Sequence, residues 1–123
     1  MPDPFALWFP VALYVAFIFW LSSAPRVLPG ARLIPRIDKL YHFLEYAPLG
    51  WMLARALRGS SPRLGWTVVA WAAAALAACV AGSDEFYQSF IDTRIASAWD
   101  ALADLAGSVL GCSYFVSKSA RTP

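Results

Sequence analysis

Two long stretches of the chain carry no charge, and two more are nearly as apolar but have acids gathered near their starts. The uncharged stretches are Phe5 to Ser23 and Leu64 to Ala81. At about 1.5 Å of rise per residue, each can cross a hydrocarbon core of about 30 Å. Leu40 to Leu57 and Ala98 to Val116 have similar length and a similar content of Leu, Ala and aromatic residues, although by hydropathy they score weaker. The pattern predicts an all-α, polytopic membrane protein, a bundle of about four transmembrane helices.

The joints agree with this division. Ala24 to Ile37 is rich in Pro and Arg and reads as an interfacial loop. Arg58-Gly59-Ser60-Ser61-Pro62-Arg63 is a short polar turn, of the kind that makes consecutive helices antiparallel neighbours. Thr93 to Ser97 joins the third and fourth helices, and Ser97-Ala98-Trp99-Asp100 has the spacing of a capping box, so the fourth helix is expected to start there. The alanine-rich run Ala70 to Ala78 reads as close helix packing.

Composition places the chain in the same class. At 123 residues it is expected to form a single domain over 1–123, and 59% hydrophobic against 15% charged residues is too apolar for an ordinary soluble domain. The net charge of +2 comes from scattered basic residues with no run of the kind that marks nucleic-acid binding. Met1-Pro2-Asp3-Pro4 lacks a basic n-region, so the first apolar segment reads as an uncleaved anchor despite the small residues Ser22 and Ala24. Lys and Arg divide evenly between the two faces. Setting aside Lys39 and Arg94 as partners of the acids tips the balance, which places both termini in the cytoplasm. Cys79 and Cys112 lie too far apart along their helices for a disulfide within one chain, and both read as buried small residues.

The acids are the informative exception. Asp38, His42 and Glu45 stand at i, i+4 and i+7 and share one stripe of the second helix. Glu85 and Gln88 share a face at the end of the third helix if it continues through Gly82. Asp100, Asp104, Gly107 and Gly111 repeat at helical spacing in the fourth, where the Gly-x-x-x-Gly pair demands a close helix partner and turns the two aspartates toward the bundle. The second helix begins, the third ends and the fourth begins on one side of the membrane, so these groups converge at one level. Arg94, in the loop between the last two helices, can add its guanidinium to them. Taken singly, Asp38 and Asp100 could be helix caps and His42 an interhelical hydrogen bond. The set as a whole favours a site, because ionisable groups at membrane depth are costly to retain. Tyr46 and the tryptophans read as interface markers.

The motifs Asp38-Lys39-x-x-His42, Glu85-x-x-Gln88, Arg94 and Asp100 followed by Gly107 and Gly111 resemble the pattern of the VanZ-like family of small bacterial membrane proteins, over about Ile37 to Gly111. Asp104 departs from that pattern, which has Asn there. The resemblance implies a bundle of roughly four or five membrane helices in the bacterial cytoplasmic membrane and a role at the cell envelope. The family's name comes from an accessory protein of glycopeptide (teicoplanin) resistance.

Two functions fit these residues. In the first, the cluster Asp38, Lys39, His42, Glu45, Glu85, Gln88, Arg94, Asp100 and Asp104 lies at the extracytoplasmic end and binds an envelope lipid or glycan, or an anionic head group. In the second, the chain is a membrane-embedded enzyme acting on a lipid-linked envelope precursor, with His42 as acid or base and Glu85 with Asp100 as a carboxylate pair. No nucleophile stands out. Cation conduction is disfavoured because the far halves of the helices hold no matching polar residues. A histidine with several carboxylates suits a divalent ion, but no tight ligand pair such as His-Glu-x-x-His occurs, so no metal and no cofactor are assigned. The lipid bilayer is the expected partner, nucleic acid is not, and the oligomeric state is left open.

Overall fold

The computed structural model describes residues 2–23, 37–91 and 97–122. These residues form four helices, α1 (Pro4–Ser23), α2 (Ile37–Ser60), α3 (Trp66–Gln88) and α4 (Ala98–Arg121), with no strand among them. Each helix is as long as the expected segment or longer. α2 and α4 run past their apolar stretches because Arg58, Gly59, Lys118 and Arg121 are tolerated in end turns, where basic groups also complement the helix dipole. Pro10 in α1 and Pro48 in α2 each remove a backbone donor without ending the helix.

α1 and α3 are long and apolar enough to cross a membrane. Their outward faces are large and hydrophobic. Phe5, Phe9, Leu13, Phe17 and Trp20 on α1 are exposed, as are Val68, Trp71 and Leu76 on α3. The buried stripe of α3 is small, made of Val69, Ala73, Ala77 and Ala81, which lets its neighbours approach. This inverts the usual soluble pattern of bulky core and polar surface.

α2 and α4 form the most extensive pair, and glycines set their separation. A Cβ on Gly107 would lie 2.0 Å from the Phe43 carbonyl oxygen, one on Gly111 1.8 Å from that of Ala47, and one on Gly50 1.9 Å from that of Ser108. The backbones therefore touch wherever side chains are absent. Gly107 and Gly111 match the interface read from spacing, and Gly50 supplies its counterpart on the other helix.

α1 is hydrophobic on all sides and has no intrinsic orientation. Polar ties to α2 fix it. The Trp8 indole donates to Ser60 Oγ at 2.8 Å, and the Tyr14 hydroxyl donates to the Glu45 carbonyl at 2.6 Å. Between α2 and α3, Arg58 donates to the carbonyls of Pro62 (2.6 Å) and Leu64 and lies over the Trp66 ring at 4.3 Å. Arg58→Ala removes all three contacts, and thermal unfolding in detergent is expected to show a loss of about 1–2 kcal/mol.

Two expectations are corrected here. Tyr46 is not an interface marker but is fully buried among α2, α3 and α4, with its hydroxyl 3.4 Å from Asp84 Oδ2. Cys79 is exposed rather than buried, because it lies off the Val69–Ala81 stripe, whereas Cys112 is buried against Ala70. Both are free thiols.

Candidate functional site

The polar groups converge where α2 and α4 begin and α3 ends. α3 does continue through Gly82, and this carries Asp84, Glu85 and Gln88 to the level of Lys39, His42, Asp100 and Asp104. One buried contact joins α2 and α4. His42 Nδ1 lies 2.8 Å from Asp104 Oδ1, with the ring 4% and the aspartate 0% exposed. With Asp104 as the acceptor, Nδ1 carries a hydrogen. Nε2 faces Asp100 Oδ2 at 3.6 Å.

Lys39 closes the outer side. Its ammonium bonds to Asp38 Oδ2 at 2.6 Å and to Asp100 Oδ1, bridging adjacent residues of α2 to the first turn of α4. Asp38 precedes the apolar segment, and the Lys39 hydrogen bond holds its carboxyl below the usual carboxylate range. This pair is partly exposed and Lys39 keeps Asp100 without it. Asp38→Asn is therefore expected to change stability by no more than about 0.5 kcal/mol in the same unfolding measurement.

The start of α4 differs from the capping box read from spacing. Ser97 is the N-cap, its hydroxyl accepting from Trp99 N at 3.3 Å. The reciprocal bond, however, is made by another helix: Ser97 N donates to Glu85 Oε2 at 2.9 Å. Glu85 takes the place an acid of α4 would fill, which releases Asp100 to face Lys39 and His42. Glu85 and Asp100 thus come together, as a carboxylate pair at this level requires.

Gln88 does not join Glu85. Its amide donates to Asp84 Oδ2 and to Ser22 Oγ, each at 3.2 Å, on the α1 side of α3. Asp84, Ser22 and Tyr46 make a second polar group that spacing alone did not single out. The signal was available as the i, i+4 relation of Asp84 and Gln88, but Ser22 lies at the end of a wholly apolar helix. Glu45 is one turn deeper than His42 and near enough to act on His42 and Asp104 electrostatically. The Ser108 hydroxyl reaches the carbonyls of Asp104 at 2.9 Å and Tyr46 at 3.3 Å, tying α4 to α2 beneath the cluster. Arg94 lies outside the described residues.

Among the described residues the cluster is rich in carboxylates. Among the described residues, Lys39 and His42 stand against Asp38, Glu45, Asp84, Glu85, Asp100 and Asp104, and Lys39 is already shared between two carboxylates. Asp84 Oδ1, Glu85 Oε1 and Asp104 Oδ2 are buried with no hydrogen-bond partner among the described residues. Beside the cluster, a cavity of about 530 Å³ opens between Lys39, Trp99, Leu102 and Ala103.

Fold and site together define an all-helical protein with two candidate membrane spans, an apolar exterior and a polar interior at one end. Residues 4–118 match the family model described as VanZ/LLP1, and the chain belongs to this VanZ-like family. The match extends beyond the motif-bearing segment to take in α1. No curated protein and no solved structure matches the chain. The family and the two apolar helices point to a membrane protein.

Proposed function

We propose that the chain is a four-span protein of the bacterial cell-envelope membrane that binds the polar head of an amphipathic, anionic envelope component at this end of the bundle. The cavity carries the reading. Its volume of about 530 Å³ suits a small head group, its walls Trp99, Leu102 and Ala103 suit a hydrocarbon chain, and Lys39 brings a cation to its lining. The four-span topology is supported by the way α2 and α4 are turned. His42, Asp100 and Asp104 face inward, while Leu40, Leu44, Trp51, Leu102, Val109 and Leu110 are exposed. Low hydropathy along these two helices therefore reflects residues hidden from lipid.

With the termini in the cytoplasm, the cluster is extracytoplasmic and meets lipid-linked precursors or glycans there. A contribution to teicoplanin tolerance fits that placement. The test is binding of a polyprenyl phosphate to the protein in nanodiscs of neutral lipid. Lys39→Ala and Leu102→Glu are expected to weaken binding about tenfold each, and wild-type affinity in both would sink the reading. Labelling of Ser60→Cys from outside intact cells would overturn the orientation.

The His42–Asp104 contact favours one second reading, an enzyme acting on a lipid-linked precursor. A carboxylate that orients an imidazole is the arrangement a general acid or base needs. Release of phosphate from a polyprenyl diphosphate by the wild type, lost in His42→Gln, would select it over simple binding.

A further inference from the structure

We infer that His42, Glu85 and Asp100 form a binding site for a divalent transition-metal ion. Each offers one donor atom, and the three atoms lie within 4.8 Å of one another. What distinguishes them from an ordinary acidic cluster is that the second polar atom of each is already engaged. Asp104 holds His42 Nδ1, Lys39 holds Asp100 Oδ1, and Ser97 N holds Glu85 Oε2. This leaves Nε2, Asp100 Oδ2 and Glu85 Oε1 outside those bonds, with Nε2 and Asp100 Oδ2 3.6 Å apart and Glu85 Oε1 buried without a hydrogen-bond partner among the described residues. His42 and Asp100 are themselves 4% and 6% exposed.

The second bonds are those a metal site uses. A ligating histidine usually donates its other N–H to a carboxylate, which fixes the tautomer and strengthens the ligand. His42 and Asp104 stand in that relation. One nitrogen and two carboxylate oxygens suit Zn²⁺ or Mn²⁺ better than Mg²⁺, which prefers oxygen alone and keeps its water. Zinc ligands at about 2.1 Å in a tetrahedron stand about 3.4 Å apart. The widest donor pair would close by at most about 1.4 Å, within the reach of side-chain rotation. The ion would also offset the excess of carboxylates over cations.

Spacing hid the site, because the three ligands come from three helices and no local ligand pair exists. Lys39 touches Asp100 and also lines the cavity, so an open coordination position would lie near a bound head group. That further role rests on the binding function proposed above, but the ion site does not.

The experiment uses the full chain in nanodiscs of phosphatidylcholine, stripped with chelator and titrated with Zn²⁺ without any envelope lipid. One zinc per chain is expected by calorimetry and by elemental analysis. Glu85→Gln and Asp100→Asn, both close in shape to the native residues, are expected to weaken binding at least tenfold. Asp104→Asn is expected to weaken it about 10- to 100-fold through His42. Cys79→Ser with Cys112→Ser should bind as wild type, and the Co²⁺-loaded protein should show no thiolate charge-transfer band. Failure of the stripped wild type to take up zinc, or wild-type affinity in both Glu85→Gln and Asp100→Asn, would overturn the site. Zinc binding with no affinity for polyprenyl phosphate would leave the site standing and remove the head-group function instead.

Discussion

Gly111→Ala is expected to destabilise the protein by about 3 kcal/mol, while Gly82→Ala, the same chemical change, is expected to be neutral or to stabilise it by up to about 1 kcal/mol. At Gly111 the added Cβ would fall 1.8 Å from the Ala47 carbonyl oxygen and 3.0 Å from Trp51 N. These are backbone atoms of the facing helix, so no side-chain rotation relieves the overlap and α2 must move away from α4. At Gly82 a Cβ meets nothing within 4 Å, and only the gain in helix propensity remains. Because Lys39–Asp100 and His42–Asp104 both bridge α2 and α4, the Gly111 variant should also lose whatever the cluster binds. Unfolding in detergent or nanodiscs measures the first effect and ligand titration the second. Equal stability in the two variants would mean that α2 and α4 do not meet backbone to backbone.

The reason this contact could be anticipated is that glycine spacing is a local signal. Gly107 and Gly111 lie one turn apart on the face that carries Asp100 and Asp104, and a face without side chains must be covered by protein. The same holds for the start of α4, where Ser97 announces the helix within its own first turn. What could not be read locally were the partners supplied by other helices. The Glu85 bond to Ser97 N, the Gln88 bond to Ser22 and the burial of Tyr46 against Asp84 each depend on how α3 is rotated. A small alanine stripe sets that rotation only through packing. Cys79 was misread for the same reason, since a helix rich in alanine on most sides gives periodicity little to distinguish its inner face.

The direction in which the acids face has a consequence for hydropathy. By length and composition α1 and α3 are apolar enough to cross a membrane and α2 and α4 are not, although all four present large apolar side chains outward. A window average counts Asp104 and His42 as polar wherever they point. Three-dimensional placement shows that they are paid for by each other rather than by water, which is the arrangement a bilayer requires of an interior polar group.

Whether the cluster braces the bundle or serves a ligand can be separated at the His42–Asp104 pair. His42→Leu is expected to lower stability by about 3 kcal/mol, because it leaves the fully buried Asp104 without its partner. Adding Asp104→Leu should recover most of that loss, since two apolar groups in place of a buried polar pair are close to neutral. If bracing were the whole role, the double variant would be a working protein. The ion site inferred above predicts otherwise: His42 stands with Glu85 and Asp100, their donor atoms within 4.8 Å of one another, and leucine has no donor atom. The double variant should therefore unfold nearly as the wild type does yet bind no zinc and confer no envelope phenotype. A double variant as unstable as His42→Leu alone would show that the two side chains are not coupled, and one that still bound zinc at wild-type affinity would remove His42 from the site. Asp104→Asn completes the comparison, because its amide oxygen still accepts from His42 Nδ1 while the negative charge is gone. It should keep the fold and weaken the metal, separating the hydrogen bond that positions the ring from the charge that strengthens it as a ligand.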